Sequence, residues 1–272
     1  MTTDNPAAAL ETTFAPGVAT VWLNRPDVRN AFDDEVIAEL TQTFESLGQR
    51  DDLRAIVLAA RGKAFCAGAN LNWMRRMAGY SREQNLADAG RLARMLQVLS
   101  DCPVPTIARI QGDVYAGGMG LVAACDMAVA AEGAGFCLSE TRIGLIPATI
   151  GPYVVRAMGR RAAQRYLLTA ERFDAAEAHR LGLVHTVVAA DGLDAAVDGL
   201  VQALRAAGPQ AVRACKRLLR GGGRPAGRRC VDRAHGRRHC RDPGQRRGPC
   251  RRLGFPGQAG AALAALRAPR PS

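Results

Sequence analysis

Apolar and polar positions follow two periods along the first 220 residues. Val18–Leu23 is an apolar run that ends on Asn24-Arg25-Pro26-Asp27, which predicts a strand closed by a turn. Residues 33–48 place Val36, Ile37, Leu40, Phe44 and Leu47 on one stripe at helical spacing. Ala55–Ala60 reads as a buried strand. Residues 81–100 predict a helix whose apolar positions are Leu86, Leu92, Met95, Leu96 and Leu99. Pro103-Val104-Pro105 breaks the chain before a further strand, Thr106–Ile110. Met127–Ala131 and Gly135–Leu138 are strand candidates, and helices are predicted over 117–124, 160–170, 174–181 and 193–206. Gly208-Pro209 opens one more helix, ending near Arg220. Strands alternating with helices predict an α/β domain with one sizeable core.

The pattern stops at Gly221. Residues 221–272 contain 29 Gly, Pro and Arg among 52 residues and only five Val, Leu and Phe. Cys230, Cys240 and Cys250 recur every ten residues, with His235 and His239 between the first two. Zinc is not expected there, because no cysteine pair has the two-to-four-residue spacing of a closed site. A nucleic-acid arm is not expected either, since stacking aromatics are nearly absent. Arg, Gly, Pro, Ala, Cys and His together are what a GC-rich gene yields out of frame. We therefore expect 221–272 to be an atypical, frameshifted tail.

Charge separates along the same line. The net charge is +12, yet the tail alone carries 13 arginines against two acids, leaving the body nearly neutral. Basicity is thus no argument for nucleic-acid binding by the whole protein. The stretch 121–131 is too short to span a membrane and is broken by Asp126. The opening Met-Thr-Thr-Asp-Asn-Pro lacks the basic and apolar parts of a signal peptide, and the eight cysteines show no regular pairing, so a cytoplasmic location is expected.

Two small-residue segments carry the chemistry. Ala64-Phe-Cys-Ala-Gly-Ala-Asn-Leu71 and Gly112–Asp126 each lead from an apolar run into a helical segment. Turns of this kind present backbone N–H groups, and a ligand oxygen must come within about 2.9 Å of them to be held. Two donors aimed at one point would form an oxyanion hole, each worth ~3 kcal/mol in the transition state. Glu140 is the acid–base candidate, with Ile143, Leu145 and Ile146 expected to supply an apolar surround that raises its pKa. Cys66 and Asp126 read as structural, as do His179 and His185.

Several motifs resemble the crotonase (enoyl-CoA hydratase/isomerase) superfamily over about residues 15–220. They are Asn24-Arg-Pro26 with Asn30-Ala31, the two turn segments, Ser139-Glu-Thr141 with Gly144-Leu-Ile-Pro147, and Ala175–Val184. The resemblance implies a spiral of ββα units over 1–195 and a helical C-terminal region from 196, used for assembly into a homotrimer or hexamer. It implies an acyl-CoA substrate, with coenzyme A as part of that substrate and no separate cofactor or metal. It assigns the oxyanion donors to Ala67 and Gly117 and the proton-moving acid to Glu140. Arg25, Arg29 and Lys63 would meet the CoA phosphates. Ala31, Gly68, Ala69, Asn70, Leu71 and Gly118 would form the CoA pocket.

One position departs from the family's two-glutamate hydratases. Their other glutamate stands three residues after the second oxyanion glycine, where this chain has Gly120. The wording of 118–126 and 136–148 is most similar to the methylglutaconyl-CoA and isohexenylglutaconyl-CoA hydratases, whose substrates bear an extra carboxylate that Arg142 could orient. Hydration of such a thioester is the expected activity. Double-bond isomerisation by a single glutamate, or an inactive or RNA-binding relative, are the alternatives.

Overall fold

The computed structural model describes residues 8–221, which lie within one compact unit. The readings made on Cys230, His235, His239, Cys240 and Cys250 lie outside them. The strands β1 (Leu10–Ala15) and β2 (Val18–Leu23) form an antiparallel hairpin; α1 (Asp34–Gly48) follows, then β3 (Ala55–Ala60). α2 (Leu71–Met77) and α3 (Arg82–Asp101) lead to β4 (Thr106–Ile110), β5 (Val114–Tyr115) and α4 (Gly117–Ala124). Next come β6 (Met127–Ala131), β7 (Gly135–Cys137), α5 (Gly151–Thr169), β8 (Phe173–Asp174), α6 (Ala175–Arg180) and β9 (Thr186–Val188). α7 (Leu193–Ala206) and α8 (Pro209–Gly221) complete the described chain. The main sheet has the order β1-β2-β3-β4-β6-β9, parallel from β2 onward, and β5-β7-β8 form a smaller sheet.

Local chemistry explains the element ends. Asp33 caps α1 by accepting from the Val36 amide, and Ser81 with Gln84 forms a reciprocal capping box on α3. β3 is buried at all six positions, because α1 and α3 cover one face and α7 the other. α7 begins before the expected boundary at 196, and its Leu193, Val197 and Val201 pack against the main sheet.

Three expectations change. The helix predicted over 160–170 starts at Gly151, with Pro152 in its first turn and a break at Gly159 (φ 77°). Gly151-Pro152 resembles a turn, which hid the first half. On α3, stepping back four residues from Leu92 reaches Asp88, not Leu86. Accordingly Asp88 is 2% exposed and ion-paired with Arg91, while Leu86 is 73% exposed. Ile143, Leu145 and Ile146 are 61%, 50% and 78% exposed, so they do not enclose Glu140; α5 packs on that turn instead.

Candidate active site

The segment 64–70 is pinned between two neighbours. On one side the Tyr115 amide donates to the Cys66 carbonyl (2.9 Å), and Phe65 and Cys66 donate to the Asp113 carbonyl. On the other side lies the loop after β2, where Arg29 and Asn30 both adopt left-handed backbone (φ 54° and 56°). That loop turns its carbonyls onto the segment. Ala67 donates to Arg29 (3.0 Å), Phe32 donates to Gly68 (2.9 Å), and Asn70 donates to Phe32 (2.8 Å).

The accounting of amides settles which one is left. Cys66, Ala67 and Asn70 donate to carbonyls, and Gly68 donates to the Cys66 sulfur at 3.4 Å. Ala69 alone in 66–70 has no acceptor among the described residues. Ala69 is half-buried, so an N–H left unpaired there is open to a ligand rather than stranded. This corrects the assignment of Ala67: its N–H is spent on Arg29. Motif wording could not separate two alanines two residues apart.

Gly117 supplies the second free amide. It is the first residue of α4, so its N–H has no intrahelical partner, and none is present among the described residues. The chain reaches it through Ala116, a non-glycine residue at φ 45°, ψ −117°, whose amide is anchored on the Cys137 carbonyl (2.9 Å). Such a conformation costs on the order of 1–3 kcal/mol and is typical of functional turns. The two turns touch. A Cβ on Gly68 would lie 3.2 Å from the Gly117 nitrogen and 2.9 Å from the Ala116 Cβ, and one on Gly117 would strike the Phe32 ring. Gly118 is required by the Cys66 carbonyl, 2.7 Å from where its Cβ would stand.

Glu140 opens the 3-10 turn that follows β7. It is half-buried, and its Oε2 is enclosed with no hydrogen-bond partner among the described residues. Burial pushes its carboxyl above the ordinary range, against a smaller opposing pull from its own amide. Gly120 lies one turn along α4 from Gly117. A side chain there would collide with Ile150, whose Cβ lies 2.9 Å from the Cβ position, and press on Leu96. The place of a second acid is therefore packed with hydrocarbon.

A cavity of about 740 Å³ lies beside the turns, lined by Pro26, Arg29, Lys63, Ala67, Tyr115 and Ser139 among others. Two touching small-residue turns with open amides and a desolvated carboxyl are the groups the sequence singled out. The family model described as enoyl-CoA hydratase/isomerase matches residues 13–232. The chain belongs to that family.

Family relatives agree in sequence and shape. An enoyl-CoA hydratase of Alternaria alternata, ACTT6, is 34% identical over 209 residues, covering 75% of this chain and 67% of its own. The crystal structure of an enoyl-CoA hydratase from Shewanella pealeana superposes with a TM-score of 0.80 at 44% identity, over 86% of this chain and 88% of that one. Pseudomonas aeruginosa AtuE gives 0.81 at 34% identity, over 84% and 89%. The fold is thus the mixed α/β crotonase fold, with two sheets and C-terminal helices, and the family is one of hydro-lyases acting on acyl-CoA thioesters.

The remaining expected residues divide. Arg29 and Lys63 both line the cavity. Arg25 is committed to Asp33 (2.6 Å), behind the α1 cap. Asn70 caps α2, accepting from Asn72 (2.9 Å) and Trp73 (3.4 Å). Ala31 is buried, Leu71 is exposed, and Arg142 is exposed with no ion pair among the described residues. Cys66 is inert, its thiol pushed up to about 12 by burial. His179 contacts the Val184 carbonyl, and His185 accepts from Ala128, so both are structural. No described helix is long and apolar enough to cross a membrane.

Proposed function

We propose that this enzyme adds water across the double bond of an α,β-unsaturated acyl-CoA of the methylglutaconyl type. The Ala69 and Gly117 amides hold the thioester oxygen as charge builds on it, and Glu140 carries the proton. The observation that carries this reading is the pairing of two unspent amides on touching turns with a carboxyl whose Oε2 is buried and unpartnered. The positive end of α4 adds to the stabilisation of the enolate. Arg29 and Lys63 would meet the CoA phosphates at the cavity.

What the site lacks supports this substrate class. With Ile150 at Gly120, one protein carboxyl must serve where two-glutamate hydratases use two. A substrate with its own carboxylate brings a second polar group to hold water. The same packing also supports a second reading, Δ3,Δ2-isomerisation, in which one base moves a proton between carbons. Exposed Ile143, Leu145 and Ile146 support assembly as a homotrimer or hexamer, and five free cysteines among the described residues support a cytoplasmic setting.

The test is a panel of methylglutaconyl, crotonyl and 3-enoyl CoA thioesters followed by absorbance of the conjugated thioester. Hydration bleaches the absorbance of a 2-enoyl substrate. Isomerisation raises it from a 3-enoyl substrate. Turnover of crotonyl-CoA above the branched glutaconyl thioester would overturn the substrate assignment.

A further inference from the structure

The turn that leaves Ala69 unspent is held by a residue behind the cavity wall. We propose that Asn30 is the positioning residue of the oxyanion turn, acting through the Arg29 carbonyl on Ala67 and so on the direction of the Ala69 amide. This rests on the acyl-thioester reading above.

Asn30 is 3% exposed, and every polar group it owns is paired. Its Oδ1 accepts from the Arg25 amide (2.8 Å), and its Nδ2 donates to the carbonyls of Arg61 and Ala64 (2.8 Å each). Its own amide donates to the Arg25 carbonyl (2.8 Å), and its carbonyl accepts from the Cys66 thiol (3.2 Å). One side chain thus ties the loop after β2 to the strand exit that becomes the oxyanion turn. Its left-handed backbone, shared with Arg29, is a conformation asparagine tolerates better than most residues. That pair of residues brings the Arg29 carbonyl within 3.0 Å of the Ala67 nitrogen.

Gln111 closes the same segment from the far side. Its Nε2 donates to the carbonyls of Gly62 and Ala64 (3.1 Å each), so Ala64 is held by both carboxamides. Gly112 then passes against the Lys63 carbonyl with no room for a side chain. Residues 61–64 have little freedom between the two clamps, and the direction of the next free amide is inherited from them. Oxyanion donors act by being fixed in advance, so a small reorientation is felt in the transition state more than in binding.

The experiment uses the full chain and a chromophoric cinnamoyl-CoA thioester, whose absorption moves to the red when its carbonyl is polarised. Asn30→Gly keeps the left-handed backbone but removes all three side-chain bonds. Asn30→Asp keeps the acceptor, loses both donors and sets charge against two carbonyls. Both variants are expected to lose at least half of the red shift. Their kcat should fall about 100-fold per folded molecule, with KM within threefold. A packing role alone would lower Tm and leave the shift and kcat intact, and that result overturns the proposal. Should the Asn30 variants not fold, Gln111→Ala takes their place, with an expected fivefold loss of kcat and a smaller shift; an unchanged shift again overturns it. A wild-type chain that neither binds nor shifts the thioester would instead reject the acyl-thioester reading itself, and this proposal with it.

Discussion

Ile150 packs against the α-carbon of Gly120 so closely that any side chain at 120 must displace it. The two residues are therefore one unit: the glycine is a consequence of the isoleucine as much as of the missing carboxylate. Installing glutamate alone should not create a two-acid site. We expect Gly120→Glu to cost ~1–3 kcal/mol from overpacking, plus the penalty of a buried charge. Combining it with Ile150→Gly should recover stability beyond the sum of the single effects, by about 0.5–3 kcal/mol. Urea unfolding of the four proteins measures this, and strict additivity would refute the coupling.

Glu140 is expected to trade stability for activity. Its folded pKa is raised by burial, so the folded state keeps the proton to higher pH than the unfolded chain does. The stabilising contribution is present below the ordinary glutamate value and is lost as pH rises through the raised one. Glu140→Gln should therefore raise Tm at pH 8 by about 2–4 °C for ~1 kcal/mol, and much less at pH 4. The same change should reduce kcat ~10²–10⁴-fold. In the parent enzyme the acid limb of kcat/KM should lie above the ordinary glutamate range. A Gln variant with full turnover would remove Glu140 from the chemistry.

The assignment of Ala69 over Ala67 can be read with backbone esters. Replacing Ala69 by its α-hydroxy acid removes one N–H and leaves the side chain in place. It should cut kcat ~10²–10³-fold with stability unchanged. The same ester at Ala67 removes the bond to Arg29 and should cost ~1 kcal/mol of stability, with a loss of kcat well below that of the Ala69 ester because only one of the bonds that fix the turn is gone. Equal kinetic losses at both positions would leave the two amides indistinguishable and defeat the assignment.

Lys216 is buried, donates to the Val104 carbonyl (3.0 Å) and is ion-paired with Asp126, which accepts from the Thr106 amide (2.8 Å) and hydroxyl (3.0 Å). Burial lowers its pKa, opposed by Asp126. Lys216→Met should cost ~1–3 kcal/mol, because it leaves the Val104 carbonyl unpaired and takes the cation from a partly exposed carboxylate. Adding Asp126→Asn should restore part of that loss, as double-mutant unfolding would show.

The tail makes a prediction about the gene. Shifting the reading frame near codon 220 should reveal an amphipathic helical ending. The repaired protein is expected to elute as a trimer and to turn over faster than the present chain. A shifted frame rich in stop codons would end the idea.

Much of this was legible from residue order. Val36, Ile37, Leu40, Phe44 and Leu47 announced α1 because a buried helix face repeats at 3.6 residues. Ala55–Ala60 announced β3 because a strand covered on both faces is apolar throughout. What could not be read were facts of partnership. Nothing in the motif says that the Ala67 amide meets Arg29, that Asn70 is used as a cap, or that Ile150 returns from a later helix to fill the space at Gly120. Asp88 in place of Leu86 was readable from strict periodicity, since only Asp88 stands four residues before Leu92.

α8 is riveted along its length to atoms that side-chain mutation cannot delete. Arg213 grips the Arg50 carbonyl, Lys216 the Val104 carbonyl, and Arg220 those of Asp101 and Cys102 (2.6–3.1 Å). The last rivet sits one residue before the composition changes. A genetic accident just downstream would therefore leave the fastening of this last described helix intact, and the folded body should not need the sequence that follows it.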